Sequence, residues 1–296
     1  MSNAPTPEEL VADLVLLLDM EPRATDRFLG RRHVGWGSGR VYGGQVIAQA
    51  LASAERTVSD DRAAHSMHCY FLRGGNDAMP IDYSILRDFD GGTISNRRVT
   101  ACQQGEVILN LTASFQKRQE GLSHQAVTMP DVPPPEDIEE DYLRRRRIFG
   151  AMGESGTPWL LRQLAIDWRA VELEKRFSRE ASEPVYHSWF RTRASLPDDP
   201  RVHRAVLAYA SDMLLLGTAT MPHPFSLGLP GAIGATIDHS IWFHEDFRAD
   251  EWLLFRAESP WSGHSRGFTR GSIFSRDGRL IASVAQEGII RVTKPD

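Results

Sequence analysis

Lysine, cysteine and long apolar runs are scarce in this chain of 296 residues. Lysine occurs only at Lys117, Lys175 and Lys294, so nearly all of the 34 basic side chains are arginines. Arginine suits bidentate phosphate contacts, but genome composition produces the same bias, and little weight rests on it. The two cysteines, Cys69 and Cys102, stand in apolar surroundings without CxxC spacing. That implies no disulfide or zinc site, and leads us to expect buried thiols in a cytoplasmic protein. The apolar run Leu14 to Leu18 is too short and too acidic for a signal peptide or a membrane span. With Pro7 and Glu8 opening it and Leu10, Leu14, Leu17 and Leu18 at helical spacing, this stretch reads as an amphipathic cap helix. The terminal Thr-Lys-Pro-Asp is not a peroxisomal address. Positive charge is not in excess either: the net charge of −5 argues against a general nucleic-acid binder.

What is present is ample apolar material, 41% of residues against 25% charged, enough for a sizeable core in one large domain or two ordinary ones. After a strand-like segment near Thr25 to Leu29, glycines form a loop, and from Gly44 the segment turns helical with Val46, Ile47, Ala50, Leu51 and Ala54 on one face. Its small residues allow a sheet to approach closely. Gly43 and Gly44 leave the first helical N–H groups open to a ligand, although a plain turn explains them as well. Four strand-like stretches follow from His65, with a tight turn at Gln104-Gly105 between the last two. MPDVPPPEDIEED, from Met129 to Asp141, then reads as a stiff, solvated linker. The run Arg144 to Arg147 behind it is a solvated helical face by default, with phosphate binding as the alternative. AIDWRAVEL and EPVYHSWFRTRAS alternate as strands, and after a second helix a second meander completes the chain.

That second helix, Pro200 to Gly217, carries a single acid among apolar residues. Asp199 serves as its N-cap, Pro200 takes the first position and Gly217 lies just past the end. Val202, Val206, Tyr209, Met213 and Leu216 define the buried stripe, and Asp212 sits at its edge. No Lys or Arg stands among its helical neighbours Ala205, Ala208, Leu215 and Leu216. A carboxylate so placed is partly desolvated and its pKa raised, which suits a general base or a water-orienting group. Simple satisfaction by a neighbouring polar group is the competing reading.

The halves repeat. His65-Ser66 matches His239-Ser240 at an offset of 174 residues, and the turn glycines Gly105 and Gly278 match at 173. A helix wrapped by a curved antiparallel sheet, twice in one chain, is an α+β architecture made by duplication.

The stretches VYGGQVIAQAL, HSMHCYFLRGG, NRRVTACQ, TMPDVPPP, LPDDPRVHRAVLAYASD, ATIDHSIWFHEDF, EWLLFRAESP and RGFTRGSIFSRDGRLIASVAQEG together resemble the acyl-CoA thioesterase II family. The resemblance runs from Leu10 to Val292 and is loose only at the linker. It implies a double hotdog: an N-terminal unit with its cap helix over 1–128, a Pro-rich and basic linker over 129–158, and a C-terminal unit over 159–296. It further implies hydrolysis of fatty-acyl or related acyl-CoA in lipid metabolism, and a homo-oligomer, dimer or tetramer. No nucleic-acid partner, membrane span, metal or cofactor is expected. The family's water-holding acid, hydroxyl and amide fall on Asp212, Thr236 and Gln286. These types fit the chemistry: the acid takes a proton, and the hydroxyl and amide both donate and accept. Such a trio fixes a water for attack on a thioester without metal or covalent nucleophile. The N–H groups of Gly43, Gly44 and Gln45 are the candidate donors to the carbonyl oxygen.

Other chemistry competes. GHSRG at Gly263 to Gly267 fits the G-x-S-x-G elbow, but that motif needs a helix behind it, and a strand-like stretch follows Ser265. His65 is a candidate base, although its repeat partner His239 makes a shared structural role simpler. His65, His68, His239 and His244 lack convincing third and fourth metal ligands. Enoyl-CoA hydration on the same fold would need a poised Asp/His pair that no motif here offers. A non-catalytic acyl-CoA-binding or regulatory protein is the other alternative.

Overall fold

A computed structural model describes residues 4–32, 39–151 and 161–292. The expected glycine loop across 35–38 and the linker's end at 158 lie outside the described residues in whole or in part. Helix α1 (Pro7–Leu18) opens on a capping box in which Thr6 and Glu9 satisfy each other's backbone N–H, and it buries Val11, Leu14, Leu17 and Leu18. A short hairpin, β1 (Glu21–Ala24) and β2 (Arg27–Gly30), turns through Asp26 at φ 56°. Then come α2 (Gly43–Glu55) and the strands β3 (Arg62–Phe71), β4 (Ile81–Asp90), β5 (Ile94–Gln103) and β6 (Glu106–Lys117).

The second half repeats the plan. Helix α3 (Asp141–Ala151) leads to β7 (Ile166–Ala170), the short helix α4 (Leu173–Arg176) and β8 (Val185–Thr192). Helix α5 (Pro200–Ser211), the short helix α6 (Leu215–Thr218), and β9 (Ala232–Thr236), β10 (Asp238–Phe243), β11 (Leu253–Gly263), β12 (Arg266–Ser275) and β13 (Leu280–Val292) complete the chain. One sheet runs β1-β2-β4-β5-β6-β3-β10-β13-β12-β11-β8-β7, so the order of the second half mirrors that of the first. The halves join where β3 pairs antiparallel with β10, from Tyr70↔Asp238 to Ser66↔Trp242.

Helices α2 and α5 lie against each other on the sheet's inner face, antiparallel, so that the start of α2 meets the end of α5. A Cβ on Gly44 would stand 2.3 Å from the carbonyl oxygen of Tyr209, and only glycine permits that approach. Almost every residue of both helices is buried, as expected for helices clasped between a curved sheet and one another.

Several local expectations need correction. The helix from Pro200 stops at Ser211 instead of continuing to Gly217, and Asp212 is its C-cap. Arg176 holds the turn that follows: its guanidinium donates to the carbonyl oxygens of Leu214 and Met213 at 2.9 and 3.2 Å. The strand expected through AIDWRAVEL ends at Ala170 and gives way to α4. The proline linker is docked rather than solvated: Met129, Val132 and Ile138 pack on Trp189, Trp252, Leu254 and Phe274, and Trp189 donates to the Pro133 carbonyl at 2.9 Å. The arginine run is a solvated face only in part, at the exposed Arg146 and Arg147. Arg144 pairs with Glu174, Arg147 with Glu139, and Arg145 is buried.

Candidate active site

Three elements distant in sequence bring Asp212, Thr236 and Gln286 together. Strand β13 changes partner here, pairing with β10 up to Ser240↔Ala285 and with β9 from Thr236↔Gly288 onward. Gln286 sits at the changeover, on the buried side of the β13 alternation, and points at the end of α5. Its amide nitrogen donates to Asp212 Oδ1 at 2.9 Å and to Thr236 Oγ1 at 2.5 Å. The Thr236 hydroxyl donates to the same Oδ1 at 3.2 Å. Oδ1 is therefore committed to the trio. Oδ2 faces the start of α2, where a Cβ on Gly43 would stand 2.6 Å from it.

Burial pushes the Asp212 pKa up from its ordinary value, and the hydrogen bonds from Thr236, Gln286 and the Gly44 N–H oppose that rise only in part. No cation figures among these influences. The positive end of the α2 dipole, rather than a salt bridge, helps the carboxylate to ionise. Asp212 in turn adds to burial in raising Tyr42 and Cys69. Tyr42 packs edge-on against Tyr209, with ring centroids 5.0 Å apart, and donates to its carbonyl at 2.8 Å, fixing the junction of the two helices.

The three amides expected to stabilise an oxyanion differ in availability. The Gly44 N–H goes to Asp212, and the Gln45 N–H reaches the Tyr42 carbonyl at 3.1 Å. The Gln45 side chain, buried, donates to the Arg31 carbonyl. Gly43 is left with an open N–H among the described residues, so the oxyanion expectation narrows to it.

His65 is not brought to this site. Its Nε2 lies 2.8 Å from Ser114 Oγ, at the opposite end of β3 from Phe71. Phe71 is the residue beside Gly43, and six strand residues span roughly 20 Å. Ser265 occupies the β11–β12 hairpin turn with φ 59°, following His264 at φ 51°, so strand follows strand and no elbow forms. Cys69 and Cys102 are free thiols, the first buried and the second half-buried. Among the described residues no group of His, Cys, Asp or Glu is disposed to hold a metal.

Asp212 and Thr236 line a cavity of about 600 Å³ whose walls include Val46, Phe71, Met213, Leu216 and Ile289. Arg40 and Arg73 also border it. A larger cavity, about 1290 Å³, lies between α1 and the other end of α5 and contains none of the trio. Of the two, only the smaller is lined by residues of the expected trio. Arg176, which borders that cavity and closes the end of α5, is a site residue that sequence reasoning missed. No single-sequence signal links it to carbonyls 37 and 38 residues onward.

A duplicated hotdog with a half-buried acid and hydroxyl, a buried amide and a partly apolar cavity beside them gives the class: a double-hotdog protein. Comparison with known proteins gives the family. Residues 162–289 match the model of acyl-CoA thioesterase, and residues 32–116 that of the acyl-CoA thioesterase N-terminal domain. Acyl-coenzyme A thioesterase 8 of Mus musculus is 38% identical over 93% of this chain and 88% of its own. Acyl-CoA thioesterase 2 of Haemophilus influenzae is 35% identical over 97% and 99%. The crystal structure of an acyl-CoA thioesterase II from Mycobacterium marinum superposes with a TM-score of 0.75 at 38% identity, covering 94% of this chain and 98% of that one. The chain belongs to the acyl-CoA thioesterase family and is an acyl-CoA thioester hydrolase.

Proposed function

We propose that this enzyme hydrolyses fatty-acyl or related acyl-CoA by direct attack of a water held by Asp212, Thr236 and Gln286. The observation that carries the reading is the half-buried Asp212 carboxylate, with no cation acting on it, one oxygen tied to Thr236 and Gln286 and the other facing the start of α2. Asp212 Oδ2 takes a proton from the water as the water oxygen attacks the thioester carbon. The carbonyl π pair moves to oxygen, where the Gly43 N–H and the helix dipole stabilise the charge. Collapse breaks the C–S bond, and Asp212 returns the proton to the departing thiolate, giving free CoA and the acid. The apolar walls of the neighbouring cavity suit an aliphatic acyl chain.

The reading takes the chain as two hotdog units, 1–128 and 159–296, joined by 129–158. It places the enzyme in the cytoplasm, in keeping with its free thiols, and includes a homo-oligomer, which sedimentation at several concentrations tests. Among the described residues no helix is long and apolar enough to cross a membrane.

The test is release of free CoA from a short-to-long acyl-CoA series by the protein and by Asp212→Asn. The amide keeps the shape but cannot take the proton, so turnover falls by about 10² to 10⁴-fold while the fold is retained. Similar turnover in the variant sinks the general-base assignment. Tight acyl-CoA binding without release in the unmodified protein would point instead to the binding-protein alternative.

A further inference from the structure

One buried side chain beside the trio has no part in the mechanism above. His239, on β10, is fully buried, and its Nε2 lies 2.9 Å from the hydroxyl of Ser211, the residue preceding Asp212. Continuing the β10–β13 ladder one step beyond Ser240↔Ala285 sets residue 239 opposite residue 286. Two of the buried polar atoms without a completed hydrogen bond are His239 Nδ1 and Gln286 Oε1, so the unsatisfied atoms belong to facing residues. Gln286 already acts on the imidazole, raising its pKa against a larger lowering by burial that leaves it at about 4 and hence neutral. In the first half, too, a histidine meets a serine: His65 on β3 lies 2.8 Å from Ser114 Oγ on β6.

We propose that His239 is a positioning residue. As the Nδ1–H tautomer it accepts from Ser211 through Nε2 and donates to Gln286 Oε1, which holds the Gln286 amide nitrogen on Asp212 and Thr236. The inference rests on the reading of Asp212, Thr236 and Gln286 as the water-holding trio.

Hydrogen-bond complementarity selects this tautomer. The Ser211 hydroxyl has one proton and two acceptors in reach, the Ala208 carbonyl at 3.0 Å and His239 Nε2. If the proton goes to Ala208, Nε2 must carry the imidazole proton, and bare Nδ1 then faces the Gln286 oxygen, acceptor against acceptor. If it goes to Nε2, every donor in the chain Ser211, His239, Gln286 meets an acceptor. Turned end for end, Gln286 would set its oxygen against the Asp212 carboxylate where the nitrogen now donates at 2.9 Å. The Nδ1–H donor guards against that flip. The loop closes on itself, since Ser211 and Asp212 are adjacent at the end of α5. His239 thus acts on the trio from both sides without touching the substrate cavity.

The experiment is a double-mutant cycle of His239→Ala and Gln286→Ala in the full chain, read as kcat and KM for a long-chain acyl-CoA, with pH profiles. His239→Ala is expected to lower kcat on the order of tenfold to a hundredfold with a smaller change in KM, because a misplaced polar group costs that much. In the Gln286→Ala background the same substitution should cost little further, since its route is gone. The acidic limb of the His239→Ala profile should move to higher pH, as Asp212 loses a well-aligned donor. Losses that multiply in the double variant, or a limb that stays in place, would overturn the proposal, because a merely structural histidine behaves that way. Should His239→Ala fail to fold, Ser211→Ala removes the donor to Nε2 with little change in volume and enters the same cycle with the same expected and refuting outcomes. Asp212→Asn is assayed alongside: if it still turns over, the trio reading has failed and this inference with it, whereas an inactive Asp212→Asn with multiplying losses refutes His239 alone.

Discussion

Gly43→Ala separates chemistry from folding more cleanly than removing the acid. The added methyl would sit 2.6 Å from Asp212 Oδ2 and 3.2 Å from the Phe71 ring. An uncharged carbon and an oxygen settle at roughly 3.3 Å, so carboxylate and methyl must part by about 0.7 Å. The carboxylate is the freer of the two, because the methyl is fixed to helical backbone. Gly43 carries no positive φ, so alanine is conformationally allowed there, and in a helix it is favoured over glycine by roughly 0.5–1 kcal/mol. Stability should therefore change little or rise slightly. Turnover should not survive so well. At on the order of a hundredfold per ångström of misplacement, the shift costs roughly twentyfold to thirtyfold in kcat, or about 2 kcal/mol of barrier. The methyl also occupies the space beside Oδ2 that the proposed water needs. Thiol release at saturating acyl-CoA gives kcat, and calorimetry on the same samples gives Tm. A variant with unchanged kcat would refute the placement of the water between Oδ2 and Gly43. Gly44→Ala is the contrast: its methyl meets the Tyr209 backbone carbonyl at 2.3 Å, so it should lower Tm.

Because burial raises the Asp212 pKa and only the ionised form takes a proton, kcat should fall as pH drops through a value above the usual carboxylate range. The same shift means that the folded state holds the proton more tightly than the unfolded chain, so this group's contribution to stability declines as pH rises through that window; a kcat profile flat down to the ordinary Asp value would contradict both. Arg176→Met should cost about 2–3 kcal/mol by leaving the Met213 and Leu214 carbonyls without their charged donor, measured by denaturant unfolding, and lower kcat by loosening the end of α5. Ser265→Ala and His65→Gln should each keep kcat within about twofold, since neither side chain reaches the trio; a hundredfold loss in either would reopen the corresponding reading.

What could be read from the chain depended on the range of the forces involved. The start of α5 was legible because Asp199 and Pro200 act within one turn, and Asp199 does accept from the Arg201 N–H at 2.9 Å. Its end was not: the turn after it is held by Arg176, 37 residues away from Met213 in sequence. The strands of both meanders followed from alternation, and the repeat at Gly105 and Gly278 was visible because a hairpin turn imposes positive φ locally. That Thr236 and Gln286 meet could not follow from alternation. It depends on β13 exchanging β10 for β9 within three residues, a matter of sheet topology. Gly43 and Gly44 looked like an open anion site, whereas the Gly44 N–H is spent on Asp212, a contact made only when the helices pack antiparallel. The linker misled for a related reason: its prolines and acids read as solvated, but the apolar side chains between them dock on the second sheet.

Duplication poses a further question, why the proposed chemistry occupies one end of the helix pair. Antiparallel packing creates two comparable junctions, the end of α5 at the start of α2 and the end of α2 at the start of α5. Each holds a carboxylate whose pKa burial raises, the half-buried Asp212 at the first and the buried Glu55 at the second. At the first, two glycines let backbone N–H groups and a ligand approach. At the second, Arg204 donates to Glu55 Oε1 at 2.6 Å, and Arg201 adds its charge nearby. Burial still lifts Glu55 to about 7, although the Arg204 guanidinium holds one of its oxygens. The segment between α5 and β10 adds the other asymmetry, because α6 and β9 have no counterpart between α2 and β3, and β9 supplies Thr236. One junction thus carries an arginine where the other has glycines, and lacks the inserted hydroxyl. Glu55 is paired with a fixed cation, whereas Asp212 is held only by neutral donors. By this difference the two halves share a fold while the proposed chemistry falls to one end.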